Sequence, residues 1–112
     1  MASPNEIWTI DFGDPYPGEP AHHRPALVIG PSALFGDALP FVIVAPMTTV
    51  RRGLSLHVEV DPDETNGLNH TSYIQCELIR SINGNRLVRR LGTAGTTASL
   101  QVELVVKALL GY

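Results

Sequence analysis

The stretch AHHRPALVIG, residues 21–30, places three basic side chains directly before a short apolar run. The run from Pro25 to Ile29 is uninterrupted and shorter than a typical helix, which favours a buried β-strand. A second run of this kind, FVIVA, occupies residues 41–45. Because the loop between the two runs is short, with one helical turn predicted at residues 32–35, we expect the strands to be antiparallel neighbours.

Most of the remaining chain also favours strands. Further strand candidates are residues 6–12, 54–60, 71–78 and 86–91. Residues 54–60 (LSLHVEV) alternate between apolar and polar positions, which predicts a solvent-facing His57. The loop GDPYPGEP, residues 13–20, carries three prolines and two glycines, so it is neither helix nor central strand.

Only the C-terminal segment has the period of a helix. From Thr97 onward, apolar residues recur at spacings of three and four, and Gly111 follows the last of them. Thr96 or Thr97 is the expected N-cap. The chain is therefore predicted to be mainly β, a small barrel or sandwich of five to seven strands with a C-terminal α-helix.

Composition limits the class of protein. The 112 residues fit a single domain, residues 1–112, and the apolar fraction of 44% is that of an ordinary globular chain. Neither a signal peptide nor a membrane-spanning run is present, so we expect a cytoplasmic protein. The single cysteine, Cys76, is expected in the core. Adjacent histidines in an extended segment point apart, and no P-loop occurs, so no metal or nucleotide cofactor is predicted.

The net charge of −3 argues against a protein that coats nucleic acid, but a local basic patch remains compatible with it. Seven of the eight basic residues are arginines, whose planar guanidinium binds phosphate in a bidentate manner. The alternative is that most of them are solvated side chains on loops and strand edges.

Arg24 and Thr48 stand at strand ends that antiparallel pairing would bring together. Arg24 opens the first apolar strand, and Thr48 and Thr49 close the second, directly before Arg51 and Arg52. A guanidinium and a hydroxyl beside a phosphodiester can stabilise the charge that develops on its oxygens during cleavage. The alternative is that Arg24 pairs with Glu19 or Asp11 at the rim of a barrel.

Several motifs together resemble the MazF/PemK/Kid family of toxins from bacterial type II toxin–antitoxin systems. In order, they are EIWTIDF with the proline- and glycine-rich loop that ends near Glu19, then HRPALVI, VIVAPMTT, HVEV and NGLNHTSYIQCELIRSI. The resemblance covers nearly the whole chain. It implies an SH3-like β-barrel with a C-terminal helix, assembled as a homodimer, that acts as a metal-independent endoribonuclease on single-stranded RNA.

The resemblance also implies roles for individual residues. Arg24 and Thr48 match the family positions most regularly tied to cleavage, and Glu19 matches a catalytic glutamate of one branch. Gln75 and Glu77 stand where the Kid branch has an arginine and an aspartate, so Gln75 supplies no cation at that position. The expected RNA-binding residues are His22, His23, Thr49, Arg51, Arg52, Gln75, Glu77 and Arg86.

The implied reaction is attack of the RNA 2′-hydroxyl on its own 3′ phosphate, giving a 2′,3′-cyclic phosphate and a 5′-hydroxyl. The implied partners are RNA, a MazE-like antitoxin whose acidic flexible tail competes with phosphate for the arginines, and operator DNA only together with that antitoxin. Two other readings stay open: a gyrase-binding toxin of the CcdB type, and an inactive homologue that binds antitoxin or operator.

Overall fold

Seven antiparallel strands and one C-terminal helix form the chain, in a computed structural model that describes residues 2–36 and 38–112. Asp37, in the predicted loop between the two apolar runs, lies outside the described residues. The strands are β1 (Glu6–Asp11), β2 (His23–Gly30), β3 (Phe41–Thr48), β4 (His57–Val60), β5 (Ser72–Gln75), β6 (Arg80–Asn83) and β7 (Leu87–Thr93). The helix α1 is Thr96–Leu110, and short 3₁₀ turns cover Ala33–Phe35, Cys76–Leu78 and Gly84–Arg86.

The strands are ordered β4-β5-β3-β2-β1-β7, and β6 pairs with β3. β3 is the central element because it pairs with β2 along one side and with two short strands along the other. Its first half, residues 41–44, pairs with β6, and its end, residues 47–48, pairs with β5. The sheet is barrel-like, although the described strands do not close it. The predicted mainly β fold with a C-terminal helix is confirmed.

Two apolar clusters cover opposite faces of the sheet. Alternation along each strand sends successive side chains to opposite faces. One cluster includes Ile7, Leu27, Met47 and Ile74, and α1 packs against it through Val102. The other cluster contains Ile10, Phe12, Ala26, Val28, Val42, Val44 and Ile82. Burial of apolar surface on both faces fixes the register of β2 and β3, the two strands that carry the predicted site.

Several predicted boundaries need correction. β2 begins at His23 rather than Pro25, and β3 runs on to Thr48. Residues 54–56 precede β4 instead of belonging to it, and Leu54 is exposed. The predicted strand 71–78 breaks at Cys76 into a 3₁₀ turn, and residues 80–83 form a separate strand.

Helix α1 begins and ends on glycines. Its N-cap is Gly95, without a side-chain hydrogen bond, so the prediction of Thr96 or Thr97 was wrong by one or two positions. Gly111 ends the helix in the left-handed conformation, as its position predicted. No helix among the described residues is long and apolar enough to cross a membrane.

The turn-rich loop before β5 is held by one fully buried asparagine. The Asn66 side chain accepts hydrogen bonds from the amides of Asp63 and Leu68 and donates one to the carbonyl of Asp61. This loop lies against β7, where a Cβ on Gly92 would collide with the backbone of Thr65 and Asn66. Gly92 therefore permits the close approach of loop and strand.

Candidate functional site

Arg24 and Thr48 line one pocket of about 220 Å³ at the end of the sheet where β2 begins and β3 ends. The β2–β3 ladder ends with the pair Ala26 and Pro46, and Arg24 and Thr48 each lie two residues beyond that pair, at the same end of the ladder. The predicted convergence of these side chains is therefore present. We call this cavity the Arg24–Thr48 pocket, and its lining is His23, Arg24, Pro25, Met47, Thr48, Thr49 and Ser72.

Arg24 has no ion pair with a carboxylate among the described residues, and its buried Nε has no hydrogen-bond partner. Both acids considered as its partners from the sequence are engaged elsewhere. Asp11 Oδ2 lies 3.8 Å from His23 Nε2, and Glu19 Oε1 lies 4.0 Å from Arg80 Nη1. The guanidinium of Arg24 therefore keeps its capacity to bind an anion.

Thr48 is oriented by the chain that follows it. Its Oγ1 accepts a hydrogen bond of 3.2 Å from the backbone amide of Val50. Because a hydroxyl both accepts and donates, the Thr48 O–H remains able to donate to a bound group. Thr49 also lines the pocket and is exposed.

The residues expected to move protons occupy different places. His23 lines the Arg24–Thr48 pocket, whereas the exposed His22 precedes β2 in a left-handed backbone conformation, with φ of 56°. Glu19 is not part of the pocket lining. Its carboxylate meets Arg80, whose guanidinium lies over the ring of Phe12 at 5.8 Å from the centroid. His23 is thus the expected proton carrier that the fold places beside Arg24.

The side chain of His57 is buried, so the expectation that it faces solvent was wrong. Its side chain is 3% exposed, and its Nε2 lies 2.9 Å from Oε2 of Glu77. Glu77 reaches it because the chain turns after β5, directly opposite β4. The buried Gln75 is the ladder partner of His57. Gln75 and Glu77 therefore form a second polar cluster with His57, apart from the lining of the Arg24–Thr48 pocket.

The remaining arginines expected to bind RNA are dispersed. Arg51 lines a different cavity, beside β4 and β5, and Arg52 is exposed on the same loop. Arg86 donates from Nη1 to the carbonyl of Asp11 at 3.1 Å, which ties it to the end of β1. The structure therefore holds Arg86 in the scaffold.

Cys76 lies in the core, as predicted. Burial, with a smaller contribution from the charge of Glu77, raises the pKa of its thiol to about 11. A thiol with that pKa is a poor nucleophile at neutral pH. Among residues 2–36 and 38–112, His, Cys, Asp and Glu side chains do not gather in groups of three or more that would hold a metal ion.

Three residues near the predicted site were missed as site residues. Ser72 lines the Arg24–Thr48 pocket, Tyr73 lies opposite Thr48 in the β3–β5 ladder, and Arg80 meets Glu19. Alternation within residues 71–78 indicates that Tyr73 and Gln75 share a face. No local pattern predicts the separate strand β6, which carries Arg80.

Comparisons with known proteins agree with this architecture over almost the whole chain. The family model of the PemK-like, MazF-like toxin of type II toxin–antitoxin systems matches residues 3–110. The Mycobacterium tuberculosis toxin MazF-mt6 is similar at 25% identity and a TM-score of 0.77, with 95% of this chain and 96% of that one covered.

Two further structures share the fold at lower identity. MazF from Deinococcus radiodurans has a TM-score of 0.83 at 22% identity, covering 99% of this chain and 97% of that one. An endoribonuclease in complex with its cognate antitoxin, from a mycobacterial species, has a TM-score of 0.80 at 18% identity, covering 99% and 96%. The match over residues 3–110 shows that this chain belongs to the PemK-like, MazF-like family of toxins from type II toxin–antitoxin systems.

Proposed function

We propose that this protein is a metal-independent, sequence-specific endoribonuclease that cleaves single-stranded RNA in the Arg24–Thr48 pocket. The observation that carries the proposal is the shared pocket itself, in which a guanidinium without a carboxylate partner faces a hydroxyl free to donate. These groups fit the anionic oxygens of a phosphodiester. Similar proteins that are named endoribonucleases support the same activity.

The reaction begins at the ribose 2′-hydroxyl, which is absent from DNA. Its oxygen attacks the adjacent phosphorus, and the bond from phosphorus to the 5′-oxygen breaks. The products are a 2′,3′-cyclic phosphate and a 5′-hydroxyl. Arg24 neutralises the charge that grows on the non-bridging oxygens, and Thr48 donates a hydrogen bond to one of them.

Two protons must move in this step. One leaves the 2′-hydroxyl, and one reaches the departing 5′-oxygen. We assign one of these transfers to His23, because it lines the pocket beside Arg24 and lies close to Asp11. Glu19 remains the second candidate, and its role requires the loop of residues 13–20 to carry its carboxylate from Arg80 towards the bound RNA.

The toxin would act as a homodimer and be inhibited by a MazE-like antitoxin. A net charge of −3, with Arg24 and Arg51 each lining a cavity and outside the ion pairs of the described residues, suits modest, salt-sensitive RNA binding. An acidic antitoxin segment competing for Arg24 and Arg51 would block the substrate. Binding of operator DNA would require the antitoxin as well.

The test is incubation of the purified protein with a long single-stranded RNA in EDTA, followed by mapping of the 5′ ends and assay for 5′-hydroxyl groups. Arg24→Ala removes the proposed phosphate ligand. Arg89→Ala is the matched control, since Arg89 is an exposed residue of β7 outside the pocket lining.

Discrete cuts that persist in EDTA and in Arg89→Ala, and vanish in folded Arg24→Ala, would support the proposal. Intact RNA with the folded wild-type protein would overturn it and favour a toxin that binds a protein target.

A further inference from the structure

A second cavity lies on the face of the sheet that carries Thr48. It has a volume of about 340 Å³ and lies beside β4 and β5. Its lining includes Arg51, His57, Glu59 and Tyr73. Tyr73 pairs with Thr48 on one side and with Glu59 on the other, so the three side chains form one row on one face. We call this cavity the Tyr73 pocket.

One residue of the lining, His57, has a buried Nδ1 without a hydrogen-bond partner among the described residues. Oε1 of Gln75, the ladder partner of His57, and Oε1 of Glu77 are also unpaired there, but neither residue lines the pocket. The His57 side chain is 3% exposed, and Gln75 is 6% exposed. Buried polar atoms are normally paired, so the unpaired Nδ1 of this lining residue points to a missing partner.

Two residues of the lining offer hydrogen-bond acceptors. When the neutral His57 ring holds its hydrogen on Nε2, which faces the Glu77 carboxylate, Nδ1 is an acceptor. The exposed carboxylate of Glu59 adds acceptors at the mouth of the cavity. A ligand that suits this pocket must therefore present several N–H donors.

Guanine is the RNA base whose Watson–Crick edge offers two adjacent donors, N1–H and the N2 amine. Single-stranded RNA is commonly recognised through such edges, with the base stacked on an aromatic side chain. Tyr73 supplies the aromatic ring, and its pKa is raised by desolvation, by the Glu59 charge and by a hydrogen bond from its hydroxyl to the Glu59 carboxylate. Arg51 supplies a cation for the adjoining phosphate.

We propose that the Tyr73 pocket binds a guanine base next to the cleaved bond and sets the sequence preference of the enzyme. Glu59 accepts from N1–H and the N2 amine, and Tyr73 stacks on the ring. Because neighbouring strands are about 4.8 Å apart, a base at Tyr73 and Glu59 lies one or two strand spacings from Thr48. This inference rests on the proposed ribonuclease activity.

An arginine from a protein partner would also supply donors. Arg51 at this pocket and Arg52 beside it disfavour such a partner, because like charges repel, and the same two residues favour RNA.

The experiment first maps wild-type cuts in a long RNA, with a guanine expected at one fixed position within two nucleotides of the cut. Short substrates then carry inosine, which lacks only the N2 amine, or adenosine at that position. Loss of the paired donors should lower kcat/KM by about 5- to 150-fold for adenosine, with inosine between.

Glu59→Gln should bring guanosine and adenosine substrates towards equal kcat/KM. Glu103→Gln is the matched control, because Glu103 lies on α1 at the opposite face of the sheet and pairs with Lys107. The control should keep the guanine preference. Thermal unfolding of each variant checks that it is folded.

Cuts without a guanine at a fixed position, or an unchanged preference in Glu59→Gln, would overturn the pocket assignment and leave the ribonuclease standing. If Glu59→Gln keeps the wild-type cut sites but no longer binds antitoxin, the pocket assignment is overturned in favour of a protein contact. Absence of any cleavage by wild type would overturn the proposed function and this inference with it.

Discussion

Arg24, near the start of β2, and Thr48, the last residue of β3, line the same pocket because each lies two residues beyond the Ala26–Pro46 pair at one end of the β2–β3 ladder. Their functions are separable by substitutions that change one group at a time. Neither side chain is part of the apolar clusters, so such variants should fold.

Thr48→Val replaces the hydroxyl by a methyl group of similar size and should lower the single-turnover cleavage rate by about 10²- to 10³-fold, because a hydrogen bond to the transition state is lost. Thr48→Ser keeps the hydroxyl and should retain most of the rate. Equal rates for the Val and Ser variants would exclude the proposed donor role.

His23→Ala should lower the cleavage rate by about 10²- to 10⁴-fold, the range expected when a general acid or base is removed. Glu19→Ala should have a smaller effect, since its carboxylate lies at Arg80 outside the Arg24–Thr48 pocket. Single-turnover rates at saturating enzyme give the comparison. The reverse order would transfer the proton-carrier role to Glu19.

Gly92→Ala should destabilise the fold by about 1–3 kcal/mol, because its Cβ would enter the backbone of Thr65 and Asn66. Gly84→Ala is the control, since its Cβ would meet only the Pro40 carbonyl at 3.5 Å. Urea unfolding measures both. A fully stable Gly92→Ala would mean that the loop does not pack on β7 in this way.

Cys76 should resist thiol reagents in the folded protein. Burial raises the pKa of its thiol from 9.0 to about 11, so little thiolate exists at pH 8. Because the folded state holds this proton more tightly than the unfolded state, this group's contribution to stability falls as pH rises from about 9 towards 11. Ellman's reagent should react slowly with native protein and rapidly in guanidinium chloride.

Glu6 should contribute to acid sensitivity. Burial raises the pKa of its carboxyl, but hydrogen bonds from the Trp8 indole, the Ser3 amide and Arg90 outweigh burial and lower it below 4.5. The stabilisation is therefore present above about pH 4.5 and lost as pH falls through the folded-state pKa. Glu6→Gln should show a shallower loss of unfolding free energy than wild type between pH 5 and 3, and an identical slope would contradict this role.

The sequence predicted those parts of the site that depend on two neighbouring strands. Apolar runs of strand length identified β2 and β3, and the short loop between them predicted their antiparallel pairing. Together these features placed Arg24 beside Thr48. They did not predict that Glu19 pairs with Arg80, because that ion pair needs β6, a strand with no local signal of its own.

Alternation predicts the face of the sheet on which His57 lies, but not whether that face is buried. Val58 and Val60 are buried as their alternation predicts, and His57 lies on the other face, as expected. Alternation assumes that this other face meets solvent. Here it meets Glu77 and Gln75, which are brought to it by the β4–β5 ladder and the turn after it.

The sequence by itself determined the strand content, the C-terminal helix, the buried Cys76 and the pair of residues in the Arg24–Thr48 pocket, because each depends on local periodicity or on one short connection. Only the tertiary structure decided that the side chain of His57 is buried, that Glu19 meets Arg80 and that Tyr73 shares a face with Thr48. Those relationships join segments distant in sequence, and they are fixed by packing on both faces of the sheet rather than by any preference of the residues themselves.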